Sequence, residues 1–280
     1  MTVALVTDST ASLSPETARE SRIDVVALQV IIGPDVFTEG EDVTPAMVAA
    51  ALAAYVPVNT SRPTPGQFIA AYERAAAAGA TEIVSVHLSS KMSGTFDSAL
   101  LGAKNSPVPV TCVDSTQVGV ATGFAALRAA AARDEGGGAE DVAAAARCAG
   151  ENSFTLFYVD TLEYLRRGGR VGAAAALIGS ALAVKPLLTV KEGLISPLEK
   201  VRTATKALAR LEALAVERSA GFDKGFDVGV QHLANPTVAK AVAERLADAL
   251  GKDAIEVREV GASIGAHVGP GMISVTLTPR

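Results

Sequence analysis

Residues 83–88, IVSVHL, and the segment that follows them, SSKMSGTF at 89–96, decide the fold of this chain. The first segment is an almost uninterrupted apolar run of strand length, and the second is a serine-rich turn that leads into a predicted helix. A strand followed by a hydroxyl-rich turn recurs at VTDST, residues 6–10, and at VDST, residues 113–116. The run at 23–32 predicts a further, long strand. Apolar strands that alternate with helices predict a parallel sheet with helices on both faces.

The pattern changes after about residue 155. From there, short strand-like runs surround two helical patterns, which indicates a mixed α+β half. Glu192-Gly193 separates two of these runs and is a β-hairpin signal, because glycine permits a two-residue turn. The predicted strands of this half are residues 154–159, 186–190, 194–198, 228–232, 255–260 and 272–277, and the predicted helices are residues 202–218 and 237–250. We therefore expect an α/β protein of two domains, residues 1–155 and residues 156–280.

Composition and charge exclude several classes of protein. Of the 280 residues, 49% are hydrophobic and 20% are charged, so the chain can bury a large core and wholesale disorder is excluded. Its 30 acidic residues outnumber 25 basic ones, whereas a protein that binds the phosphate backbone needs a concentrated positive field. Aromatic residues make up 4% of the chain and Trp is absent, which leaves no platform for stacking bases. We expect no nucleic-acid partner.

Cysteine usage and hydropathy predict a cytoplasmic location without stable membrane insertion. Cys112 and Cys148 are isolated thiols outside any CxxC motif, and we interpret both as small core residues of a reducing compartment. The N-terminal segment has no basic region, and Asp8 interrupts its apolar run too early for a signal peptide. The uncharged stretch 171–184, made of small and aliphatic residues, has 14 residues. A membrane-spanning helix needs about 20.

Hydroxyl-bearing residues cluster at or near the carboxyl ends of the predicted strands. The groups are Asp8-Ser9-Thr10, Thr60-Ser61, Ser89-Ser90 with Ser93-Gly94-Thr95, and Asp114-Ser115-Thr116. In an open parallel sheet these strand ends form one rim, where ligands bind. Helix N-termini that follow them offer N–H groups and a positive dipole end to an anion. The pattern predicts a site for a small carboxylate or phosphate, with simple helix capping as the alternative.

The familiar nucleotide-binding and zinc-protease motifs are absent from the sequence. It contains no GxxxxGK, GxGxxG or HExxH pattern. Three histidines leave little scope for a histidine-built metal site, and we expect neither a metal ion nor a cofactor. His87 and His232 lie in or at the end of apolar strands and are interpreted as structural. His267 lies in GAHVGPG, residues 265–271, where small residues allow close approach of a ligand, and is predicted to be functional.

Two adjoining segments allow a structural or a functional interpretation. LEYLRRGGR, residues 162–170, is either a solvated helix end with favourable cations or a functional basic cluster. The next residues, 171–184, are small or aliphatic apart from one serine. They form either an ordinary buried helix or an element whose small side chains leave a channel for an apolar ligand.

The chain resembles proteins of the DegV family over nearly its whole length. The matching segments are VTDST at 6–10, TSRPTPGQF at 60–68, LSSKMSGTF at 88–96, VDSTQVG at 113–119, LEYLRRGGR at 162–170, KPLLTVKEG at 185–193 and AHVGPG at 266–271. Their order and number make the resemblance specific, although any single motif is weak. One departure is Arg62, where the family often has Gln.

The resemblance implies a DegV-like fold, with a parallel sheet and flanking helices followed by a mixed α+β domain. It also implies one long-chain fatty acid in a buried tunnel between the domains. By the same resemblance, the carboxylate is held by Thr60 or its neighbour Ser61 and by Ser93 in the SGT segment that includes Thr95, with His267 close to the head group.

The resemblance further implies a carrier that serves phospholipid metabolism. Such a carrier presents the carboxylate to a separate fatty-acid kinase and has no catalytic activity of its own. Arg170 and Arg202 match basic positions at the portal or the kinase-docking surface. We expect a monomer.

Two other functions are compatible with the sequence. A serine hydrolase of acyl esters would combine Ser93 and His267 with Asp8 or Asp114 as nucleophile, base and orienting carboxylate. A phosphotransfer domain would carry phosphate on one of the three histidines, His87, His232 or His267.

Overall fold

The computed structural model describes residues 2–177 and 185–280, which form an α/β structure. The strands are β1 Val3–Asp8, β2 Ile23–Val26, β3 Gln29–Ile32, β4 Asp35–Thr38, β5 Val58–Ser61, β6 Glu82–His87, β7 Val110–Asp114, β8 Phe154–Tyr158, β9 Lys185–Lys191, β10 Leu194–Val201, β11 Phe226–His232, β12 Glu256–Glu259 and β13 Ile273–Pro279. The helices are α1 Pro15–Glu20, α2 Pro45–Ala53, α3 Pro65–Ala77, α4 Thr95–Ala103, α5 Val120–Asp134, α6 Ala139–Asn152, α7 Glu163–Arg167, α8 Ala204–Ser219, α9 Pro236–Leu250 and α10 Ala262–Val268.

A four-stranded parallel sheet in the order β2-β1-β6-β7 forms the first core. Val6, Ile83 and their neighbours pack against α3 and α4 on one face. Leu5, Val84 and Val113 pack against the alanine-rich sides of α5 and α6 on the other face. Both faces are therefore buried, which is why these strands are mostly apolar. The predicted parallel sheet with flanking helices is confirmed.

The prediction of one long strand over residues 23–32 is wrong. The segment contains two strands in different sheets: β2 belongs to the parallel sheet, and β3 pairs antiparallel with β4 and β5 in a three-stranded sheet. Leu28 lies between them, where its N–H donates to Ser9 Oγ at 3.0 Å and its carbonyl accepts from the N–H of Glu39 at 2.9 Å. At Leu28 these two hydrogen bonds take the place of bonds between neighbouring strands of one sheet. A hydropathy pattern carries no information on backbone hydrogen bonding, so it could not predict this break.

The second half forms a six-stranded mixed sheet in the order β10-β9-β8-β13-β11-β12. Helices α8 and α9 cover one face, and α5 lies against the other, between this sheet and the parallel one. The predicted β9–β10 hairpin is confirmed, with φ of 50° at Glu192 and 79° at Gly193, as a type I′ connection requires. The predicted boundary between residues 155 and 156 falls inside β8, and the division into two domains stays a prediction.

Two further predictions from the sequence have different outcomes. Cys148 is exposed on α6, so its interpretation as a core residue is wrong, while Cys112 is partly buried in β7. The alanine-rich periodicity around Cys148 predicts a helix but does not identify which residues face the core. Gly172–Leu177 forms a short 3₁₀-helix, and the rest of the predicted helix or channel element, residues 178–184, lies outside the described residues.

Candidate ligand-binding cavity

A mostly apolar cavity lies where the ends of β1 and β6 meet β5, β10, α7 and α10. Its walls are formed by Thr10, Leu28, Thr60, Leu88, Met92, Ser93, Val118, Leu165, Arg170, Ile195, Ser263, Ile264, His267 and Val268. The polar members are few, and several of them are residues that the sequence singled out. The arrangement is that of a small-molecule site, in which apolar walls surround a few oriented polar groups.

His267 and Thr60 meet at this cavity from distant parts of the sequence. The Nε2 of His267 lies 2.8 Å from the Oγ1 of Thr60 on β5. The Nδ1 of His267 is buried and has no hydrogen-bond partner among the described residues. Helix α10 is packed against α7 and β5, which fixes the imidazole at the cavity wall.

Ser93 lies in the loop between β6 and α4 and lines the same cavity. Its Oγ is 2.9 Å from the Oγ1 of Thr95 and accepts the N–H of Thr95 at 3.3 Å. Thr95 is fully buried at the start of α4 and does not line the cavity. Thr95 therefore orients Ser93 rather than facing a ligand.

Arg170 also lines the cavity, so it contributes charge to the site. Its Nε donates to the carbonyl of Met92 at 3.0 Å, and its Nη1 donates to the carbonyl of Gly168 at 2.6 Å. Both acceptors are neutral, so these bonds orient the guanidinium without neutralising its charge. A bound anion would gain from that charge.

Burial is the largest cause of a lowered pKa at His267, and the nearby charge of Arg170 adds to it; together they lower the pKa to about 4. The side chain as a whole is partly exposed, but the burial of Nδ1 explains the penalty on the charged form. The imidazole is therefore neutral at pH 7. In the neutral ring, one nitrogen carries a proton and can donate a hydrogen bond, and the other can accept one.

The lowered pKa predicts a pH dependence of stability. In the unfolded chain His267 titrates near its ordinary value of about 6.5, so between that value and about 4 the unfolded state binds more protons. The contribution to stability is complete above pH 6.5 and is lost as the pH falls towards 4. We expect the free energy of unfolding to fall by about 1–2 kcal/mol more in the wild type than in His267→Gln between pH 7.5 and 5. Urea unfolding at both pH values measures this, and equal losses in the two proteins would contradict it.

The structure does not place every predicted residue at the cavity. Thr60 and Ser61 are consecutive in β5, so their side chains point to opposite faces, and Ser61 Oγ donates to the carbonyl of Arg62 at 3.3 Å. Arg202 is exposed between β10 and α8 and does not line the cavity. The predicted portal or docking roles of Arg170 and Arg202 stay predictions. Arg62 is exposed and places Nη1 3.4 Å from the carbonyl of Gly94.

The prediction that one parallel-sheet rim assembles the hydroxyl groups is wrong for Thr60. Thr10 and Ser93 do follow β1 and β6, but Thr60 comes from the antiparallel three-stranded sheet. The groups at residues 89–90 and 114–116 are absent from the walls of this cavity. An antiparallel strand from outside the parallel sheet completes the site, and strand-end patterns do not predict such packing.

Ser263 and Gly168 are site residues that the sequence interpretation missed. The Oγ of Ser263 is buried in the cavity wall and has no partner among the described residues. Ser263 precedes His267 by four residues on α10, and this helical spacing was the available signal. Gly168 lies against the imidazole, where a Cβ atom would be 2.8 Å from Cε1 of His267 and closer still to Nδ1.

The geometry does not assemble the hydrolase set of Ser93, His267 and an aspartate. Asp8 Oδ2 lies 2.9 Å from Nδ1 of His87, and Asp114 accepts the N–H groups of Ser90 and Thr116. Within the described residues, Nδ1 of His267 therefore lacks the orienting carboxylate that such a set requires.

The histidines also argue against a phosphotransfer site. His87 is completely buried and its Nε2 is bonded to Ser85 at 2.7 Å, while His232 is 6% exposed. Neither of these two rings is open to a phosphate donor.

A second, inner cavity adjoins the first. The two share the side chains of Val118, Ile195, Ile264 and Val268 in their walls. The inner cavity continues towards the six-stranded sheet, where Phe157, Val190, Val260 and Met272 add apolar surface. The inner cavity therefore lies beside the one that contains Thr60, Ser93 and His267, on the side of the six-stranded sheet.

Neither membrane helices nor metal clusters are found in the described parts of the chain. No helix within residues 2–177 and 185–280 has the length and apolar character needed to cross a bilayer. In the same ranges, no group of three or more His, Cys, Asp or Glu side chains is arranged to hold a metal ion.

Comparison with known proteins assigns the chain to a family. A family model described as an uncharacterised protein of the DegV family matches residues 2–280. The chain is 49% identical over 279 residues to a DegV domain-containing protein of Streptomyces coelicolor, covering 99% of each chain. The chain therefore belongs to the DegV family.

Solved structures show the same fold. A DegV family protein from Thermus thermophilus, described as binding fatty acid, is 32% identical, with a TM-score of 0.93 and full coverage of both chains. DegV from Bacillus subtilis, described as a fatty acid binding protein, is 31% identical, with a TM-score of 0.91 and full coverage of both chains. The recognition of this family from its motifs is confirmed.

Proposed function

We propose that this protein binds one long-chain fatty acid, with the carboxylate at Thr60, Ser93 and His267 and the acyl chain in the two adjoining cavities. The observation that carries the proposal is the cluster of Thr60, Ser93 and His267 at one end of a mostly apolar space. The fatty-acid binding of the Thermus and Bacillus relatives supports it.

The energetics favour a long hydrocarbon chain. Burying about 15 methylene groups contributes roughly 12 kcal/mol of gross transfer free energy, at ~0.8 kcal/mol each, before the costs of ordering the chain. The carboxylate needs compensation for the water it loses, and hydroxyls with an imidazole N–H can supply it. The positive charge of Arg170 in the same wall adds electrostatic stabilisation.

We propose further that the protein is a carrier without catalytic activity, which presents the carboxylate to a separate fatty-acid kinase for phospholipid metabolism. Hydroxyl ligands hold a carboxylate without a tight ion pair, so its oxygens stay available to a phosphoryl donor. In this proposal the protein acts as a cytoplasmic monomer of two domains, and the fatty acid occupies a tunnel between them. Exposed Arg202 contributes to the surface that meets the kinase.

We expect Ser93→Ala to weaken fatty-acid binding about tenfold or more, because a hydrogen bond to a carboxylate contributes roughly 1.5–3 kcal/mol. Folding should be preserved, since Ser93 is only partly buried. Displacement of a fluorescent fatty acid measures the affinity, and phosphorylation by the kinase should fall in parallel. Ser61→Ala is the matched control, because Ser61 does not line the cavity. Equal losses in the two variants, or unchanged binding in Ser93→Ala, would remove Ser93 from the site.

Native mass spectrometry of the purified protein, followed by organic extraction, tests binding itself. We expect a stoichiometric ligand that is released as a fatty acid. Protein that is empty and takes up no added fatty acid would overturn the proposed function.

A further inference from the structure

The inner cavity has mostly apolar walls, but its wall against the six-stranded sheet contains polar side chains. Gln231 of β11 and Ser274 of β13 are direct cross-strand partners, and both line this cavity. They are 3% and 6% exposed. Thr155 of β8 lies in the same wall. Residues opposite each other in an antiparallel pair share one face of the sheet. Thr155 is opposite Thr276, two residues along β13 from Ser274, so it lies on the same face.

The hydrogen bonds of Gln231 leave one donor free. Its Oε1 accepts the N–H of Val120, the first residue of α5, at 2.9 Å. This bond fixes the orientation of the amide, because the opposite orientation would place an NH₂ group against a backbone N–H. The Nε2 atom is buried and has no acceptor among the described residues. Thr155 differs, since its Oγ1 donates to Oε1 of Gln117 at 3.2 Å.

A saturated hydrocarbon cannot form hydrogen bonds with the polar groups of this wall. A buried amide N–H beside a methylene group has lost its water and gained no acceptor, which is costly. An oxygen atom on the ligand at the same place restores the hydrogen bond. Sites that hold a buried polar partner for a hydroxyl discriminate strongly against analogues that lack it.

We propose that the inner cavity selects acyl chains that carry an oxygen acceptor along the chain, as in hydroxy or oxo fatty acids, with Nε2 of Gln231 as the donor. Ser274 adds a hydroxyl that can donate or accept a second bond. This specificity rests on the proposed function, because it requires the acyl chain to extend from the polar cluster at Thr60 into the inner cavity.

The test is a displacement assay with octadecanoic acid and a panel of its hydroxy and oxo derivatives, the oxygen moved one carbon at a time along the distal half. We expect at least one derivative to bind the wild type about tenfold more tightly than the parent acid. In Gln231→Met this preference should disappear while the parent acid still binds. Thr278→Val is the control, because Thr278 is a buried polar residue of β13 that does not line the cavity.

The outcomes separate the two proposals. If no fatty acid binds the wild type, the proposed function fails. If fatty acids bind and no derivative exceeds the parent acid, the selectivity proposal fails alone, and this comparison needs no variant. If a preference exists and persists in folded Gln231→Met, the role of Gln231 is overturned.

Discussion

Gly168→Ala is expected to reduce fatty-acid affinity at least a hundredfold in a protein that still folds. Gly168 caps α7 with a φ of −75°, an angle that alanine adopts without strain, so backbone conformation is not the cause. The cause is steric, because the new Cβ would overlap the imidazole of His267. His267 must then turn away from Thr60. The ligand carboxylate would lose its contact with the imidazole and, at the same time, the Thr60 hydroxyl that the imidazole orients.

Fluorescent fatty-acid displacement measures the loss, and circular dichroism verifies the fold. Gly66→Ala is the matched control, since a Cβ at that exposed helical position makes only ordinary contact with Thr64, at 3.8 Å. We expect it to bind like the wild type. Wild-type affinity in Gly168→Ala would show that the position of His267 does not determine head-group binding.

Asp8→Ala is expected to lower the free energy of unfolding by about 3–5 kcal/mol, the range seen when one partner of a buried polar pair is removed. Asp8 is completely buried, with Nδ1 of His87 2.9 Å from its Oδ2. It also accepts the N–H and hydroxyl of Thr10 and the N–H of Leu88. Removal of the carboxylate leaves these donors buried without an acceptor. Since Thr10 and Leu88 line the cavity, binding should weaken as well.

Chemical denaturation of ligand-free protein measures this effect. Asp24→Ala is the control, because Asp24 pairs with Arg74 at the surface, where the two side chains are 39% and 61% exposed. Exposed pairs contribute about 0–1 kcal/mol, so the control should change little. A loss below about 1 kcal/mol in Asp8→Ala would show that the donors find other partners.

The parallel sheet and the β9–β10 hairpin could be predicted from the sequence because their signals are local. Mostly apolar runs such as residues 83–88 indicate burial on both faces, and a Gly after Glu192 indicates a tight turn. The break near Leu28 could not be predicted, because it depends on a hydrogen bond to Ser9 from another segment. Hydropathy also missed β4 and β5, two short strands with exposed positions.

The family and a short set of motif residues could be recognised from the sequence alone, since ordered motifs along the whole chain carry that information. Which of those residues meet depends on the tertiary structure. It places Thr60 2.8 Å from His267 across 207 residues of sequence, turns Ser61 away from the cavity, and brings Arg170 into its wall. The physical reason is that local patterns determine which face of an element is buried, whereas a binding site depends on which elements pack together. Which elements pack together depends on the apolar surface that the whole core buries, rather than on any single segment.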